Sequence, residues 1–532
     1  KMKSNVMKYI FFVVVIIIVG LATYIIYEDN NKKEENSNNQ IAEKTTQTIT
    51  DLRMEIVNYD TINPLLSNNR NVQEIAKLIY EPLIELDENY KLKPCLAKEW
   101  AKSGDMSYVI KLRNNVKWQD GTAFTAQDVK YTVETLKQIN SIYSYNVQHI
   151  ASVDVIDNYS IRINLDTVIP FFEYNLIFPI ISSTYLSGED IYNTPKNNTL
   201  IGTGMYKIES NTDRTMVLKK NMNWWQITEK NAKVDTINVN KYSSMGEAYN
   251  AFKLGNIDIL TTENTNIEEN IGTIGYNKKE YYGRRHDFIA LNTADNLLSR
   301  WEVRKAIACA IDKSSIVTSV FGGKYYIADN PLDYGNWTFD QNSSSAGYNP
   351  DQAKQVLIDN GWSYKYGSWQ KVEDYKTIKL NINLTVNADN GVQVATADII
   401  KSSLENVGIH VNISKLNKDR FKTALDNRNY GMIITGTNSS LSPSLITYFG
   451  SGNLANYQNE EANKLLNELL SITDENKIKE DTNRLLQIYK DDVPYISLYF
   501  NKVNVIYSTS LVGEIKPNQY NIFYGIENWY RR

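Results

Sequence analysis

The stretch "YVIKLRNNVKWQDGTAFTAQDVKYTVE", residues 108–134, holds the clearest local signals in the chain. Its first part alternates apolar and polar residues from Tyr108 to Leu112, which is typical of a β-strand. An Asn-Asn pair then predicts a turn, after which the alternation resumes and ends at Trp118. We interpret this part as an antiparallel hairpin.

The second part of the stretch predicts a tight turn followed by a helix. Asp120-Gly121 supplies the turn, because glycine adopts a positive φ without steric strain. Thr125 or Asp128 then caps a helix whose apolar residues recur at helical spacing up to Leu136. The stretch therefore specifies a local fold and carries no chemistry of a catalytic kind.

Strands and helices follow one another through the rest of the chain. Apolar alternation predicts strands within residues 52–56, 149–165 (a pair), 216–225, 233–242, 256–260, 377–386 and 410–416. Helical spacing predicts helices within residues 72–83, 245–255, 301–317 and 390–408. Because helices alternate with strands through the second half, the sequence indicates an α/β fold.

The composition is that of an ordinary globular protein, with 42% hydrophobic and 22% charged residues. Two or three domains are expected for 532 residues. A net charge of −4 argues against a generic nucleic-acid-binding protein, which would show a basic stripe. Two distant cysteines, Cys95 and Cys309, make no disulfide framework, and the chain has no CxxC or HExxH motif. We therefore expect neither a cofactor nor a dedicated metal site.

An apolar segment precedes the folded part. Residues 9–27 carry no charge, and roughly 19 residues at 1.5 Å each span about 28 Å, close to the thickness of a bilayer core. Since lysines come before it, we expect a single-pass anchor, residues 1–28, with a cytoplasmic N-terminus and an extracellular remainder. A cleaved signal peptide is the alternative, but no small-x-small site follows, and no cysteine follows for lipid attachment. Residues 29–50 are a polar tether.

Five blocks, taken in chain order, resemble the solute-binding proteins of peptide and nickel ABC importers, the large oligopeptide/dipeptide-binding family (bacterial family 5). The blocks are "IYEPLIELDENYKLKPCLAKEW" (79–100), the opening stretch, "GTGMYKI" (202–208), "VRKAIACAIDKSSIV" (303–317) and "DVPYISLY" (492–499). The third block has Met205 where the family has proline. Five blocks in the right order, spread from about residue 51 to residue 530, are not a chance match.

The resemblance implies an α/β fold of the two-lobe hinged periplasmic-binding-protein type II, with an extra domain inserted in the first lobe. Mapped onto this chain, lobe I takes residues 51–70, 198–282 and 500–532. The inserted domain takes 71–197 and lobe II takes 283–499. The opening stretch then lies in the inserted domain, where it is expected to hold a small core of its own.

The resemblance also implies where a ligand lies. In this family a peptide lies extended between the lobes and pairs with the protein through its main chain, which selects peptides with little side-chain preference. An exposed helix start and ordinary surface packing are the structural alternatives for the matching residues. Those residues are Asn69, Arg70 and Asn71 before the first helix, Tyr143 and Tyr145 in the inserted domain, and Thr437, Asn438, Ser439 and Ser440 in lobe II.

The lobe II set departs from the family pattern. Peptide binders show Trp-x-Ala-Asp-Tyr there, and the Asp meets the terminal ammonium of the peptide. Here Thr437 stands at the Trp and Ser440 at the Asp. Since a desolvated ammonium without a carboxylate is strongly unfavourable, either another acid replaces the Asp or the ligand has no free α-ammonium at this place. Glu189, Asp190 and Asp333 are the acids considered.

The leading interpretation is a membrane-anchored extracellular protein that delivers peptides or peptide-like solutes to an ABC permease, acting as a monomer. The second is a binding protein retasked as a surface sensor or interaction protein, favoured by the missing acid and the protein anchor. The third is nickel or haem binding, with His286 or His410 as chance ligands. An enzyme is not expected, because the chain has no Walker A, no G-x-S-x-G and no Rossmann glycine fingerprint.

Overall fold

The structure is a computed structural model that describes residues 20, 21, 23, 50–332, 334–339 and 347–532. From residue 50 onwards its α-helices, α1 to α13 in chain order, are Arg70–Ile79, Ala126–Gln138, Ser144–Val147, Met245–Lys253, Ile267–Ile271, Trp301–Ala310, Lys313–Phe321, Pro350–Asp359, Gly391–Asn406, Lys418–Asp426, Ile446–Phe449, Glu460–Glu468 and Glu475–Asp492.

The strands, β1 to β22 in chain order, are Asp51–Val57, Ile84–Leu86, Leu92–Pro94, Ala97–Gly104, Ser107–Leu112, Ile150–Asp157, Ser160–Leu165, Tyr206–Asn211, Thr215–Lys220, Thr236–Tyr242, Ile259–Thr262, Tyr276–Leu291, Tyr326–Ile327, Ser363–Lys365, Ser368–Glu373, Lys376–Lys379, Asn381–Asn387, His410–Leu416, Met432–Asn438, Tyr495–Ser508, Leu511–Val512 and Tyr530–Arg531.

Two four-stranded sheets are built from the first half of the chain. One has the order β1-β10-β9-β8, in which β1 and β10 run parallel. The other, entirely antiparallel, has the order β4-β5-β7-β6. The alternating residues of β1 are buried as predicted, with Leu52 and Ile56 fully inaccessible. Helix α2 packs against β6 and buries Val129, Val133 and Leu136.

A larger mixed sheet has the order β11-β20-β12-β19-β17-β18 and supports the second half of the chain. Its strands β12 and β20 are 16 and 14 residues long. The segment Tyr276–Tyr282 of β12 pairs with β20 beside β11, whereas Arg285–Leu291 pairs with β19. Both long strands therefore pass from one lobe to the other. The predicted α/β fold with two lobes and two connecting strands is confirmed.

The hydrophobic core of the first lobe continues into the region assigned to the inserted domain. One cluster of buried side chains includes Leu52 of β1, Ile110 of β5, Val129 of α2 and Met216 of β9. The expected separate small core is therefore not observed. Burying apolar surface from both sheets in one cluster removes more area from water than two small cores would.

Close backbone packing joins the two sheets. Gly204 N donates a hydrogen bond to the Ile79 carbonyl at 2.9 Å. A Cβ on Gly202 would lie 1.8 Å from the same carbonyl oxygen, so a side chain does not fit there. Gln119 from the opening stretch donates through its main-chain N to the Gly202 carbonyl at 3.0 Å and through Nε2 to the Tyr206 carbonyl at 2.7 Å. The opening stretch is thus part of the joint between the two sheets.

The predicted hairpin in the opening stretch is wrong. Strand β5 ends at Leu112 and pairs with β4 and β7, so both of its edges are occupied, and residues 116–118 form no strand. The chain instead closes a tight loop, in which Gly121 N donates to the Trp118 carbonyl at 2.9 Å and Trp118 N donates to the Thr122 carbonyl at 2.8 Å. Gly121 has φ 90°, as the predicted Asp-Gly turn requires.

The helix predicted across residues 301–317 is two helices, α6 and α7. The break falls at Ile311, and Asp312 caps α7 by accepting a hydrogen bond from Ser315 N at 3.0 Å. An aspartate at a helix N-cap stabilises the new start more than it would stabilise a helix interior. The apolar periodicity continues across the break and hides it.

The predicted anchor and tether fall almost entirely outside the described residues. Within the part of the chain that the structure describes, no helix is long and apolar enough to cross a membrane.

Candidate functional site

A bulge marks the point where β12 passes between the lobes. Tyr282 pairs with Lys502 and His286 with Phe500, so three residues of β12 face the single residue Asn501. The Asn501 side chain fills the bulge and accepts a hydrogen bond from Arg285 N at 3.0 Å. Bulges redirect side chains beside functional sites, and this one lies at the edge of an open cavity.

The cavity has a volume of about 320 Å³ and is lined from several elements. This volume is at the lower end of ligand-binding cavities, which measure about 300–1,000 Å³. Its lining residues are Arg70, Gln73, Glu74 and Lys77 of α1, Ile142, Tyr143 and Ile177, Glu263, Tyr281, Gly283, Arg284, Leu441 and Val503, and Gln519 and Tyr520. The cavity therefore lies where α1, the crossing strands and the end of β19 meet.

Strand β19 has an open edge, and Leu441, three residues beyond the end of this strand, lines the cavity, although no residue of β19 itself does. Its pairing with β17 extends only from Met432 to Ile433, and no strand in the described ranges pairs with that edge further along. Ser439 N donates to the Arg284 carbonyl at 2.7 Å, on the β12 side. Since main-chain groups in antiparallel strands alternate in direction, Gly436 and Asn438 direct theirs to the open edge.

The structure places the first predicted set at the start of α1. Asn69 is the N-cap: its Oδ1 accepts from Asn71 N at 2.9 Å, and its Nδ2 donates to the Val57 carbonyl at 2.7 Å. Asn71 Oδ1 accepts from Val57 N at 3.3 Å. Both amides thus hold the end of β1 against the helix. Arg70 lines the cavity, where it pairs with Glu263 and donates from Nη2 to the Tyr281 hydroxyl at 2.8 Å.

The two tyrosines predicted from the inserted domain lie in different surroundings. Tyr143 lines the cavity, and its hydroxyl donates to Gln73 Oε1 at 2.7 Å. Burial raises the pKa of this phenol, which therefore stays a neutral donor. Tyr145 is 72% exposed and is not among the lining residues. The structure brings Tyr143 together with Arg70 and leaves Tyr145 in solvent.

The lobe II set lies at the end of β19. Thr437 and Asn438 pair with His286 and Arg285 of β12. Ser439 is buried, and its carbonyl accepts two hydrogen bonds from the Arg284 guanidinium, at 3.3 Å from Nε and 3.2 Å from Nη2.

Ser440 is exposed, and its hydroxyl accepts a hydrogen bond from Ser442 N at 3.1 Å. Two acids considered as substitutes for the missing Asp, Glu189 and Asp190, are bonded within their own turn to Lys196 and Asn193. Neither is among the lining residues of the cavity, and Asp333 lies outside the described residues.

A second cavity of about 260 Å³ adjoins the first and shares five of its lining residues, among them Lys77, Tyr143 and Tyr520. Glu81 lies in its wall and accepts hydrogen bonds from the indole N–H groups of Trp224 at 2.9 Å and Trp225 at 3.0 Å. Burial raises the pKa of Glu81 to about 7, although these donors partly offset it. Both of its carboxyl oxygens already accept hydrogen bonds from the protein, so Glu81 is assigned to the wall.

The residues considered for metal binding occupy separate places. His286 is buried, with Nδ1 2.8 Å from the Tyr448 hydroxyl, and burial lowers its pKa to about 3. His410 contacts the Gly367 carbonyl through Nε2 at 2.9 Å. Cys95 and Cys309 are buried free thiols. Among the described residues no group of three or more His, Cys, Asp or Glu is arranged to hold a metal ion.

Several lining residues were missed from the sequence. Glu263, Tyr281 and Tyr520 come from three distant segments, and nothing local predicts that they meet. For Arg284 a signal exists: "YYGRRHD" puts a glycine inside a strand pattern, which indicates a bulge or a close backbone approach. A cation next to such a glycine is a candidate for a redirected side chain.

Comparisons with known proteins agree with this architecture. The oligopeptide-binding protein AppA of Bacillus subtilis is 24% identical over 498 residues, 88% of this chain and 89% of AppA. Heme-binding protein A of Haemophilus influenzae is 24% identical over 496 residues, 85% and 87% of the two chains. The unliganded open form of MppA, a periplasmic murein tripeptide-binding protein, superposes with a TM-score of 0.78 at 18% identity, covering 91% of this chain and 98% of MppA.

The family model described as bacterial extracellular solute-binding proteins, family 5 middle, matches residues 91–468. Because the match covers well over half of the chain, this chain belongs to that family of solute-binding proteins. The resemblance found in the five sequence blocks is confirmed.

Proposed function

We propose that this chain captures peptides, or solutes built like peptides, in the cleft between its lobes and delivers them to an ABC permease. The observation that carries the proposal is the open edge of β19 at Gly436 and Asn438, a strand that leads to Ser439, whose carbonyl bonds the cavity-lining Arg284. Main-chain groups at a strand edge pair with an extended ligand main chain without regard to its side chains. A cleft that binds its ligand through main-chain hydrogen bonds suits a peptide importer.

The names of the relatives support the same class of ligand. AppA is called an oligopeptide-binding protein and MppA a murein tripeptide-binding protein. The likeness to AppA extends over most of both chains. Heme-binding protein A is equally similar in identity, and haem or nickel is therefore the competing cargo.

The proposed ligand contacts are the nine residues predicted from the sequence, of which Arg70 and Tyr143 line the cavity and Ser439 contacts the lining residue Arg284. The proposed division into lobe I, inserted domain and lobe II keeps the predicted boundaries. Lobe closure on the ligand is then a rotation at the bulge of β12, and the ligand must favour the closed state over the open one to drive it.

The location of the protein is also a proposal. Residues 1–28 anchor it in the cell membrane with the N-terminus in the cytoplasm, and residues 29–50 tether an extracellular monomer near the permease. The uncharged run of residues 9–27 supports the anchor. We also propose a non-enzymatic role, which the solute-binding family supports. A surface sensor with the same fold is the competing role.

Mass spectrometry of the ligand that co-purifies with the full chain tests the proposal. We expect a mixture of short peptides. Calorimetry with a defined peptide, with hemin and with Ni²⁺–histidine then compares the cargoes directly. Binding of hemin or nickel but of no peptide would overturn the proposal. Deletion of the gene should abolish uptake of the bound peptides, whereas a sensor would leave uptake intact.

A further inference from the structure

The cations that line the 320 Å³ cavity differ in whether they have an acidic partner. Arg70 forms an ion pair with Glu263, and Lys77 Nζ lies 3.0 Å from Glu74 Oε2. The third cation is Arg284, and no carboxylate of the described residues forms an ion pair with it. With three cations and two acids in the lining, the cavity has one uncompensated positive charge.

The fold holds Arg284 in place although no acid pairs with it. Its main-chain carbonyl accepts from Ser439 N at 2.7 Å, and its Nε and Nη2 donate to the Ser439 carbonyl. The bulge is closed on the other side by Gln519, whose Nε2 donates to the Gly283 carbonyl at 3.0 Å. These bonds use one edge of the guanidinium and leave Nη1 without a protein acceptor in the described part of the chain.

The Arg284 side chain is accessible to a ligand. Arg284 is exposed, and partial desolvation of its guanidinium lowers the pKa of the side chain. An accessible guanidinium that forms no ion pair with the described residues can receive an anionic group from a ligand. Guanidinium binds carboxylates in a directed, charge-assisted geometry.

We propose that Arg284 binds a carboxylate of the ligand, so that the cleft selects peptides that carry an acidic group at this point. The inference rests on the proposed function, because it assigns the ligand chemistry of the same cleft. The carboxylate is either the C-terminal group of the peptide or an Asp or Glu side chain. The inference also fits the absence of an acid at Ser440, because a cleft with an excess of positive charge binds an anion better than an ammonium group.

Calorimetry with four tripeptides separates the two sources. The probes are Ala-Ala-Ala, its C-terminal amide, Ala-Glu-Ala amide and Ala-Gln-Ala amide. If Arg284 binds the C-terminal carboxylate, Ala-Ala-Ala should bind about tenfold or more tightly than its amide. If it binds a side-chain carboxylate, Ala-Glu-Ala amide should exceed Ala-Gln-Ala amide by about the same factor, as a charge-assisted hydrogen bond predicts. Arg284→Gln should abolish this difference, and Arg284→Lys should keep part of it. Arg162→Gln removes an exposed arginine of β7 and should change nothing.

Different results overturn different proposals. Equal affinity for acids and amides in the native chain, or a preference that survives Arg284→Gln, would overturn the role of Arg284 while leaving peptide binding intact. Failure of all four peptides to bind, together with hemin or nickel binding, would overturn the proposed function and this inference with it. If Arg284→Gln lowers the melting temperature, the Arg284→Lys variant is tested in its place. A fully folded Lys variant with no preference for acidic peptides over their amides would also contradict the role of the Arg284 charge.

Discussion

Two charged residues, Asp128 at the start of α2 and Arg284 in the bulge of β12, show opposite ways of placing a charge in this protein. The Asp128 carboxylate accepts from Thr125 N at 2.8 Å, Trp118 Nε1 at 3.2 Å and Ser183 N at 2.8 Å. Among the described residues, the Arg284 guanidinium has a single acceptor, the Ser439 carbonyl. The protein supplies several hydrogen-bond donors to the Asp128 carboxylate, whereas it fixes the Arg284 guanidinium through one carbonyl and leaves some of its N–H donors for a ligand.

The difference separates structural support from function. A buried carboxylate with several donors stabilises the elements that supply them, and nothing remains for a ligand to bind. A positioned cation with free donors in a cavity contributes little to folding and remains available for binding. Substitutions at the two kinds of position should therefore have opposite signatures: large on stability for the first, large on binding for the second.

The largest effect on stability is expected for Asp128→Ala. It leaves the buried Trp118 indole and two partly buried main-chain N–H groups without acceptors, so the free energy of unfolding should fall by about 3 to 5 kcal/mol. Asp128→Asn keeps the shape and should lose less. Urea unfolding followed by circular dichroism measures both, with the exposed Asp213→Ala as the matched control. A loss below about 1 kcal/mol would mean that the carboxylate is not the structural centre of this joint.

Glu81, in the wall of the second cavity, tests whether an acid there stabilises the fold as Asp128 does. Its pKa is raised from 4.5 to about 7, so the protonated form favours the folded state. This contribution is fully present below pH 4.5 and is lost as the pH rises through about 7. Between about pH 5 and about pH 8, Glu81→Gln should therefore lose less unfolding free energy than the native chain, by at most about 3 kcal/mol. Parallel pH profiles of the two proteins would contradict the assignment.

Charged residues that support the local fold, such as Asp128, are also the ones that sequence patterns predicted well. Thr125 and Asp128 lie three residues apart, and the capping box they form is a local rule. The same reasoning failed where a distant partner decides. Residues 116–118 form no strand because β4 and β7 already occupy both edges of β5. Asp312 interrupts an apolar helical pattern that hides a new N-cap.

The candidate site could be predicted only in part. Arg70 and Tyr143 were identified through the family resemblance, and both line the cavity. Arg284 was missed, because its position depends on a bulge against Asn501 and on a carbonyl 155 residues further along the chain. Such contacts are set by tertiary pairing, for which the local pattern carries at most the hint of a glycine inside a strand.

An intermediate effect is expected at the bulge itself. In Gly283→Ala the new Cβ would lie 2.0 Å from Asn501 Oδ1, which displaces that side chain and breaks its bond to Arg285 N. We expect a loss of about 2 kcal/mol in unfolding free energy and a change in peptide affinity. Gly391→Ala, with no atom within 4 Å of the new Cβ, is the control. If the clash is the cause, Asn501→Gly should partly rescue Gly283→Ala in a double-mutant cycle, and additive losses would refute it.

The smallest effect, and the sharpest on the site, is expected for Ser440→Asp. Ser440 is exposed at the end of β19, so a carboxylate there adds charge without disturbing the core. If the family alignment is right, peptides with a free α-ammonium should bind about threefold to tenfold more tightly, as for an exposed ion pair of up to about 1 kcal/mol, and N-acetylated peptides should not. Thr447→Asp adds the same charge at an exposed position seven residues further on and serves as the control.

Since the neighbouring Ser439 carbonyl contacts Arg284, the carboxylate in Ser440→Asp would also compete for that guanidinium, so the preference for acidic peptides should weaken in the same variant. A gain for free-ammonium peptides with an unchanged acid preference would place the two ends of the ligand at separate points of the cleft, and no change in either would contradict the alignment of Ser440.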